Sequence, residues 1–248
     1  MADVLETRQG RRIAYHRTAG TGPTVVFLGG FKSDMGGTKA VHLEAWARAR
    51  GRAFVRFDYS GHGESSGRFE DGAIGDWFVD AQAVLEMIAG PLVLVGSSMG
   101  GWISLLCARA MPERIAGLVT IAAAPDFTED SMWAGFDVAQ KAMLDREGQV
   151  ALPSDYGDPY VITRRLIMDG RDHLVLRAPL HLGCPVRSLQ GTADADVDVG
   201  VALRLLDHAT GPDIRLTLVK GADHRFSMPE CLDLIVTAVE EVLDLIRG

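Results

Sequence analysis

The chain has 248 residues, 47% hydrophobic and 23% charged, the composition of an ordinary globular protein long enough to bury a core without disulfide or metal staples. Its 25 basic and 33 acidic residues leave a formal net charge of −8, which excludes a nucleic-acid phosphate binder and docking on an anionic membrane surface. No stretch approaches the ~18–20 apolar residues that span a bilayer. The N-terminal Met-Ala-Asp-Val-Leu-Glu-Thr-Arg has no apolar targeting core, so a cytoplasmic location is expected.

In chain order, residues 4–8 and 12–17 flank Gln9-Gly10-Arg11 and predict a hairpin. Residues 24–28 form a continuous apolar run ending in Gly29-Gly30, the signature of a strand buried on both faces. A helix is expected over 38–50 with Gly51 as its stop, then a strand over 53–57. Helical spacing of Trp77, Val84, Leu85 and Ile88 predicts a helix over 76–89. A strand at 91–96, a helix at 100–111 and a strand at 115–122 follow. Periodicity weakens between 125 and 180, with helices expected at 130–147 and 160–169 and a turn-rich joint at 152–159. Alternation resumes with strands at 185–189 and 214–219 and helices at 199–209 and 229–247. Strands alternating with helices predict a parallel sheet covered on both faces. The irregular stretch between the two halves predicts a cap over the sheet's carboxyl edge, where ligands of such sheets bind.

Gly96-Ser97-Ser98-Met99-Gly100 follows a strand and opens a helix. In such a turn the small flanking residues let the backbone fold sharply and expose the central serine oxygen, here Ser98. A serine hydroxyl is a weak nucleophile and needs a base. Of the seven histidines, His224 lies just past the last strand, at the same sheet edge as Ser98. His16, His42, His62, His173, His181 and His208 fall where packing or surface roles are expected. The base needs a carboxylate to hold its tautomer. Asp194, Asp196 and Asp198 all follow the strand at 185–189, and Asp194 is preferred for its spacing from Gly191, with Asp196 second and Asp198 suited to capping the next helix. An oxyanion hole needs two backbone N–H groups, expected from Met99 and from Phe31 in the loop after residues 24–28. Within the cap, Trp133 and Phe136 are candidate substrate-binding residues lining an apolar acyl tunnel, among Phe127, Met132, Met143 and Leu144.

Other motifs fail. Gly61-His62-Gly63-Glu64-Ser65-Ser66-Gly67 lacks the dinucleotide-binding glycine pattern and reads as a tight turn. Gly36-Gly37-Thr38-Lys39 lacks phosphate-loop order, and no metal-ligand set stands out, so neither cofactor nor metal is expected. Cys107, Cys184 and Cys231 are scattered, odd in number and flanked by apolar residues, and read as buried thiols.

Four segments together resemble one branch of the α/β-hydrolase superfamily: residues 96–102, 56–65 (Arg-Phe-Asp-Tyr-Ser-Gly-His-Gly-Glu-Ser), 37–40 (Gly-Thr-Lys-Ala) and 223–225 (Asp-His-Arg). That branch includes a mitochondrial enzyme described as a palmitoyl-protein thioesterase and acyl-glucuronide esterase. The similarity runs from about residue 24 to 245 and includes Leu152-Pro153-Ser154 and Cys184-Pro185. The resemblance implies a single domain, 1–248, with the α/β-hydrolase fold: a mostly parallel eight-stranded sheet flanked by helices, with a small helical cap at 125–180. It also implies Ser98, Asp194 and His224 as a triad. This chain continues Val197-Asp198 where relatives usually have Val-Pro. The expected activity is hydrolysis of a small-molecule carboxylic ester or thioester through a Ser98 acyl-enzyme. The alternatives are a cofactor-free C–C bond hydrolase or perhydrolase on the same fold and, from another class, a non-catalytic ligand receptor.

Overall fold

The computed structural model describes residues 2–152 and 159–247, so most of the joint expected at 152–159, including Pro153 and Ser154, lies outside the described residues. Strands β1 (Asp3–Glu6) and β2 (Arg12–Thr18) form the N-terminal hairpin, with Gly10 at φ +76° in its turn. β3 (Thr21–Leu28), helix α1 (Thr38–Ala49), β4 (Arg52–Phe57), α2 (Ile74–Glu86), β5 (Leu92–Ser97), α3 (Met99–Ala110) and β6 (Ile115–Ile121) follow in alternation. After the stretch beyond β6 come β10 (Val186–Gly191), α6 (Val199–His208), β12 (Ile214–Val219) and the long α7 (Pro229–Arg247). The eight-stranded sheet runs β1-β2-β4-β3-β5-β6-β10-β12. The pairings β1–β2 and β2–β4 are antiparallel and the remaining ones parallel.

The central strands read as unbroken apolar runs because both faces are covered. Alternate residues serve opposite cores. Val26 and Leu28 of β3 pack with Trp77, Val84 and Leu85 of α2 and with Trp102 of α3. Val25 and Phe27 pack with Leu43 of α1 and with Val239 and Val242 of α7. No described helix is long and apolar enough to cross a membrane.

Strand order fixes where a site can form. From β3 the chain crosses one way to β4, then returns past β3 to β5 on its other side. The connections leaving β3 and β5 therefore diverge, which opens a crevice at their carboxyl ends.

The stretch between β6 and β10 departs from the sequence reading. The helix expected at 130–147 is two pieces, a π-helical segment at Thr128–Trp133 and α4 (Val138–Glu147). The break is chemical: the Asp137 carboxylate accepts from the Gln140 N–H at 2.7 Å, and the Gln140 side chain accepts from the Asp137 N–H at 2.9 Å. That capping box starts a new helix after Gly135. The helix expected at 160–169 begins as a strand, β8 (Tyr160–Thr163), paired antiparallel with β7 (Gln149–Leu152). Val161, Ile162 and Thr163 are β-branched and favour the pleat. The Thr163 hydroxyl then caps α5 (Arg164–Asp172) by accepting from the Leu166 N–H at 3.1 Å. The two-residue strands β9 (Leu180–His181) and β11 (Ala209–Thr210) pair outside the main sheet.

Gly117 shows how closely α7 is laid on β6. A methyl built on it would stand 2.2 Å from Val242 Cγ1. Gly117→Ala should destabilise the fold by about 1–3 kcal/mol through overpacking. Denaturant titration measures that loss, and kcat per folded molecule should be unchanged because the contact lies far from the crevice.

Candidate active site

β5 turns into α3 through one residue. Ser98 sits at φ +53°, ψ −117°, a backbone state that costs a side-chain-bearing residue about 1–3 kcal/mol and must be held by its surroundings. Its N–H donates to the Ile121 carbonyl at 2.9 Å, and its carbonyl accepts from Gly101 and Ala124 at 2.9 and 3.1 Å. The flanking glycines are steric necessities. A Cβ at Gly96 would lie 2.3 Å from the Gly100 carbonyl oxygen, and one at Gly100 would lie 2.1 Å from that of Leu28.

His224 stands on the loop after β12, half-buried, with Nε2 3.1 Å from Ser98 Oγ. Its Nδ1 is 2.9 Å from Asp194 Oδ2. A carboxylate only accepts, so Nδ1 carries the proton and Nε2 presents its lone pair to the serine. Two contacts tie the His224 loop to the Asp194 loop: the Ala193 N–H donates to the Ala222 carbonyl at 3.0 Å, and the Gly221 N–H donates to Thr192 Oγ1 at 2.9 Å. The Asp194 side chain is fully buried. Its Oδ1 accepts from the Asp196 and Val197 N–H groups at 2.9 and 2.8 Å, and its Oδ2 accepts from Gln190 Nε2 at 3.0 Å. Burial pushes this carboxyl up, but the bonds from His224 and the Val197 N–H outweigh it and hold the pKa below the ordinary value.

Of the three aspartates, the structure thus brings Asp194 to His224. Asp196 contributes its backbone N–H to Asp194, and Asp198 caps α6 by accepting from the Gly200 N–H at 2.7 Å. Asp194, Asp196 and His224 have ligand-type atoms within 4.8 Å of one another. The Asp194 and His224 atoms in that group are committed to each other, which fits a relay better than a metal centre.

The loop leaving β3 passes directly over the elbow. A Cβ at Gly30 would sit 3.4 Å from Ser98 Cβ. Among the described residues, neither the Phe31 nor the Met99 N–H donates to a protein acceptor. The next N–H, that of Lys32, is taken by His62 Nε2 at 3.1 Å.

A cavity of about 430 Å³ opens at Ser98, with Phe31, Phe127, Met132 and Tyr160 among its apolar lining and Lys39 and Arg225 among its polar lining. Phe31 is the hub of the apolar part, edge-on to Phe69, Trp77, Phe127 and Tyr160 at ring separations of 4.8–5.9 Å. Trp133 and Phe136 do not reach the cavity. Their rings pack on each other at 6.3 Å, and Trp133 lies under Lys141 and Arg171 at 5.1 and 4.8 Å. The π-helical segment at 128–133, where an ordinary helix is expected from residue 130, puts Met132 rather than Trp133 on the cavity. Tyr160 enters the cavity wall because residues 160–163 form a strand and not the start of the expected helix, in keeping with the β-branched Val161, Ile162 and Thr163.

Lys39, near the start of α1, reaches across to the histidine loop. Its Nζ donates to the Arg225 carbonyl at 2.5 Å. Burial drives its pKa down to about 8, against an upward pull from Asp223 and with a smaller downward push from Arg225. The folded chain therefore releases this proton at lower pH than the unfolded chain. Relative to Lys39→Met, wild-type stability should be level below about pH 8 and rise from there toward the ordinary lysine value of 10.5. Paired denaturation curves at pH 7 and pH 10 measure it. A difference between the two proteins that does not change with pH would contradict the burial of this ammonium.

Comparison with known proteins places this geometry. The family model for serine aminopeptidase, S33, matches residues 21–155. The mitochondrial palmitoyl-protein thioesterase ABHD10 of Rattus norvegicus is 35% identical over 235 residues, 94% of this chain and 79% of that protein. The crystal structure of a putative hydrolase from Agrobacterium vitis S4 superposes with a TM-score of 0.93 at 39% identity, covering 98% of both chains. Mouse α/β hydrolase domain-containing protein 10 superposes with a TM-score of 0.91 at 32% identity, covering 99% of both. The matched model spans more than half of the chain and the relatives nearly all of it, so the chain belongs to the serine aminopeptidase S33 family of α/β hydrolases.

Proposed function

We propose that this hydrolase is a serine esterase or thioesterase. One observation carries the reading: the continuous relay from Asp194 through His224 to Ser98 Oγ, at 2.9 and 3.1 Å, ending on a strained elbow. In the forward step His224 Nε2 takes the Ser98 proton while Oγ attacks the substrate carbonyl carbon. Negative charge grows on the carbonyl oxygen, beside the Phe31 and Met99 N–H groups and the α3 N-terminus. Collapse of the tetrahedral intermediate expels the alcohol or thiol, which takes the proton from His224 and leaves acyl-Ser98. Water then repeats the sequence with His224 again as base and releases the acid. Asp194 holds the imidazole tautomer and stabilises the imidazolium; its depressed pKa keeps it ionised for that role.

We assign the acyl group to the Phe31, Phe127, Met132 and Tyr160 side of the cavity and the leaving group to the polar side. Residues 125–180 act as a cap that closes this pocket within a single catalytic domain. The relatives' names specify a palmitoyl-protein thioesterase, and we carry over the thioester and the long acyl chain as the substrate class to be tried first.

Ser98→Ala should lower kcat by on the order of 10⁴–10⁶-fold. Asp194→Asn should cost about 10⁴-fold by favouring the wrong tautomer. Asp196→Asn should stay within a few-fold, because the backbone N–H that it donates to Asp194 is kept by the substitution. A fluorophosphonate probe should label the wild type and not Ser98→Ala, a melting curve shows whether that variant is folded, and Ser98→Ala that keeps a tenth of wild-type turnover would end this reading.

The acyl assignment has its own test. Each buried methylene is worth about 0.8 kcal/mol, or roughly fourfold. Across p-nitrophenyl and CoA esters, kcat/KM should climb with chain length and then level off. Met132→Ala should flatten the climb while sparing acetyl-ester turnover, and Trp133→Ala should leave it intact. A flat wild-type profile from two to eight carbons would point instead to a small-acyl substrate.

A further inference from the structure

The turn after β4, residues 58–65, is left unused by the relay, yet it grips the loop that crosses Ser98 at two points. Asp58, buried, accepts from the Met35 N–H through Oδ1 at 2.6 Å and from the Glu64 N–H through Oδ2 at 2.8 Å. His62, also buried, faces the same loop four residues on in the chain. Its Nδ1 lies 3.2 Å from the Ser60 carbonyl, and its Nε2 lies 3.1 Å from the Lys32 N. A carbonyl only accepts, so Nδ1 is the donor. Nε2 then carries the lone pair and must accept from Lys32.

This acceptor sits where the loop needs it. Lys32 has φ +57°, a left-handed state that a residue with a side chain does not hold unaided. The peptide immediately before it contains the Phe31 carbonyl, and the Phe31 N–H is one residue further back, joined to Gly30, which lies against Ser98. Fixing the Lys32 N–H therefore fixes the tilt of the Phe31 unit. We infer that His62 is a positioning residue for the oxyanion hole, aiming the Phe31 N–H by accepting the Lys32 N–H, with Asp58 holding the far end of the same loop at Met35. The inference rests on the assignment of the Phe31 N–H to that hole.

The surroundings of His62 suit a fixed neutral acceptor. Its ring is edge-on to Tyr59, Phe69 and Trp77 at 5.2–5.6 Å. Burial drives its pKa down to about 4, so the Nε2 lone pair persists at neutral pH. The Ser60 carbonyl that orients it also accepts from Trp77 Nε1 at 3.0 Å, and the Ser60 N–H and hydroxyl are held by Asp80 at 2.9 and 2.6 Å. Asp80 is fully buried and paired with Arg11 at 2.7 Å. The two glycines of the turn are also required. A Cβ at Gly63 would fall 2.1 Å from Asp58 Oδ2, and one at Gly61 would fall 2.7 Å from the Arg68 carbonyl oxygen. Within this turn Asp58 and His62 grip the loop, Ser60 orients His62, and Gly63 leaves room for the Asp58 carboxylate.

The test separates an acceptor from a packing residue. His62→Phe keeps a ring of similar size and removes the acceptor. His62→Gln offers an amide oxygen for the Lys32 N–H and an amide N–H for Ser60. Loss of one oxyanion donor costs about 10²–10³-fold in kcat. A mis-aimed donor in His62→Phe should cost about 10–100-fold in kcat with KM unchanged, and His62→Gln should recover most of it. Binding of an alkyl boronic acid, which places an anionic oxygen in the hole, should weaken by the same factor, whereas binding of the free carboxylic acid product should not. If His62→Phe folds, as judged by its melting curve, and keeps wild-type kcat and boronate affinity while Ser98→Ala is inactive, the positioning role is wrong and the esterase reading stands. If His62→Phe does not fold, His62→Gln compared with His62→Asn decides: kcat and boronate affinity should fall together in the Asn variant, whose shorter amide does not reach Lys32. Equal activity of the two refutes the proposal.

Discussion

The molecule is organised around one strained residue. Ser98 occupies a backbone state that only a rigid frame sustains, and the frame is the sheet itself. β6 accepts its N–H, α3 and the chain after β6 donate to its carbonyl, and β3 passes so close that Gly100 has no room for a side chain. The two thick apolar cores, one on each face of the sheet, are what make that frame stiff. The strain exposes a hydroxyl at the head of a helix, at the point where strand order diverges and a crevice has to exist.

Two other strands deliver the partners. The ends of β10 and β12 are adjacent in the sheet, so the loops carrying Asp194 and His224 emerge side by side and are laced by backbone bonds. The opposite wall is built from β3 and β4, again neighbours, whose loops share the Lys32–His62 and Met35–Asp58 bonds. Phe31 joins the two scales of this arrangement. Its backbone belongs to the loop that crosses Ser98 at Gly30, and its ring anchors the aromatic cluster that walls the cavity.

Much of this was legible because buried parallel strands and a glycine-flanked serine are strong local signals. The runs at 24–28 and 91–96 are apolar for a simple reason, coverage on both faces, and the structure has strands there. Chain order and strand ends were enough to put Ser98 and His224 at one edge. Choosing among Asp194, Asp196 and Asp198 was harder, since all three share a loop and differ only in which carboxylate turns inward. The stretch after β6 was least legible. Its fold is set by short-range caps at Asp137 and Thr163 and by a two-strand pairing, none of which leaves a long periodic trace. Trp133 was singled out for size and apolarity, but two cations occupy its faces. His62 was passed over as part of a turn, because its partner is a backbone N–H thirty positions away, and backbone partners leave no mark in a sequence.

The excursion between β6 and β10 is closed at its own base. Asp126, fully buried, accepts from the Val175 and Leu176 N–H groups and pairs with Arg177, which also holds Asp130. The chain leaves the sheet and is stitched back to itself before it returns. Everything beyond the stitch is, in chain statistics, a tethered loop, whose closure entropy grows only with the logarithm of its length, about 0.6 kcal/mol for each doubling. Chain entropy alone therefore penalises added length at its exposed turns little, while Ile162, Leu166 and Ile167 still have to meet Trp77 and Trp102 in the core. The segment that walls the pocket is thus held by its own stitch and by the bonds of Asp169 and His173 to α2 and α3, and length added between those ties falls on it and not on the Ser98 frame, which tolerates not one added methyl group at Gly96 or Gly100.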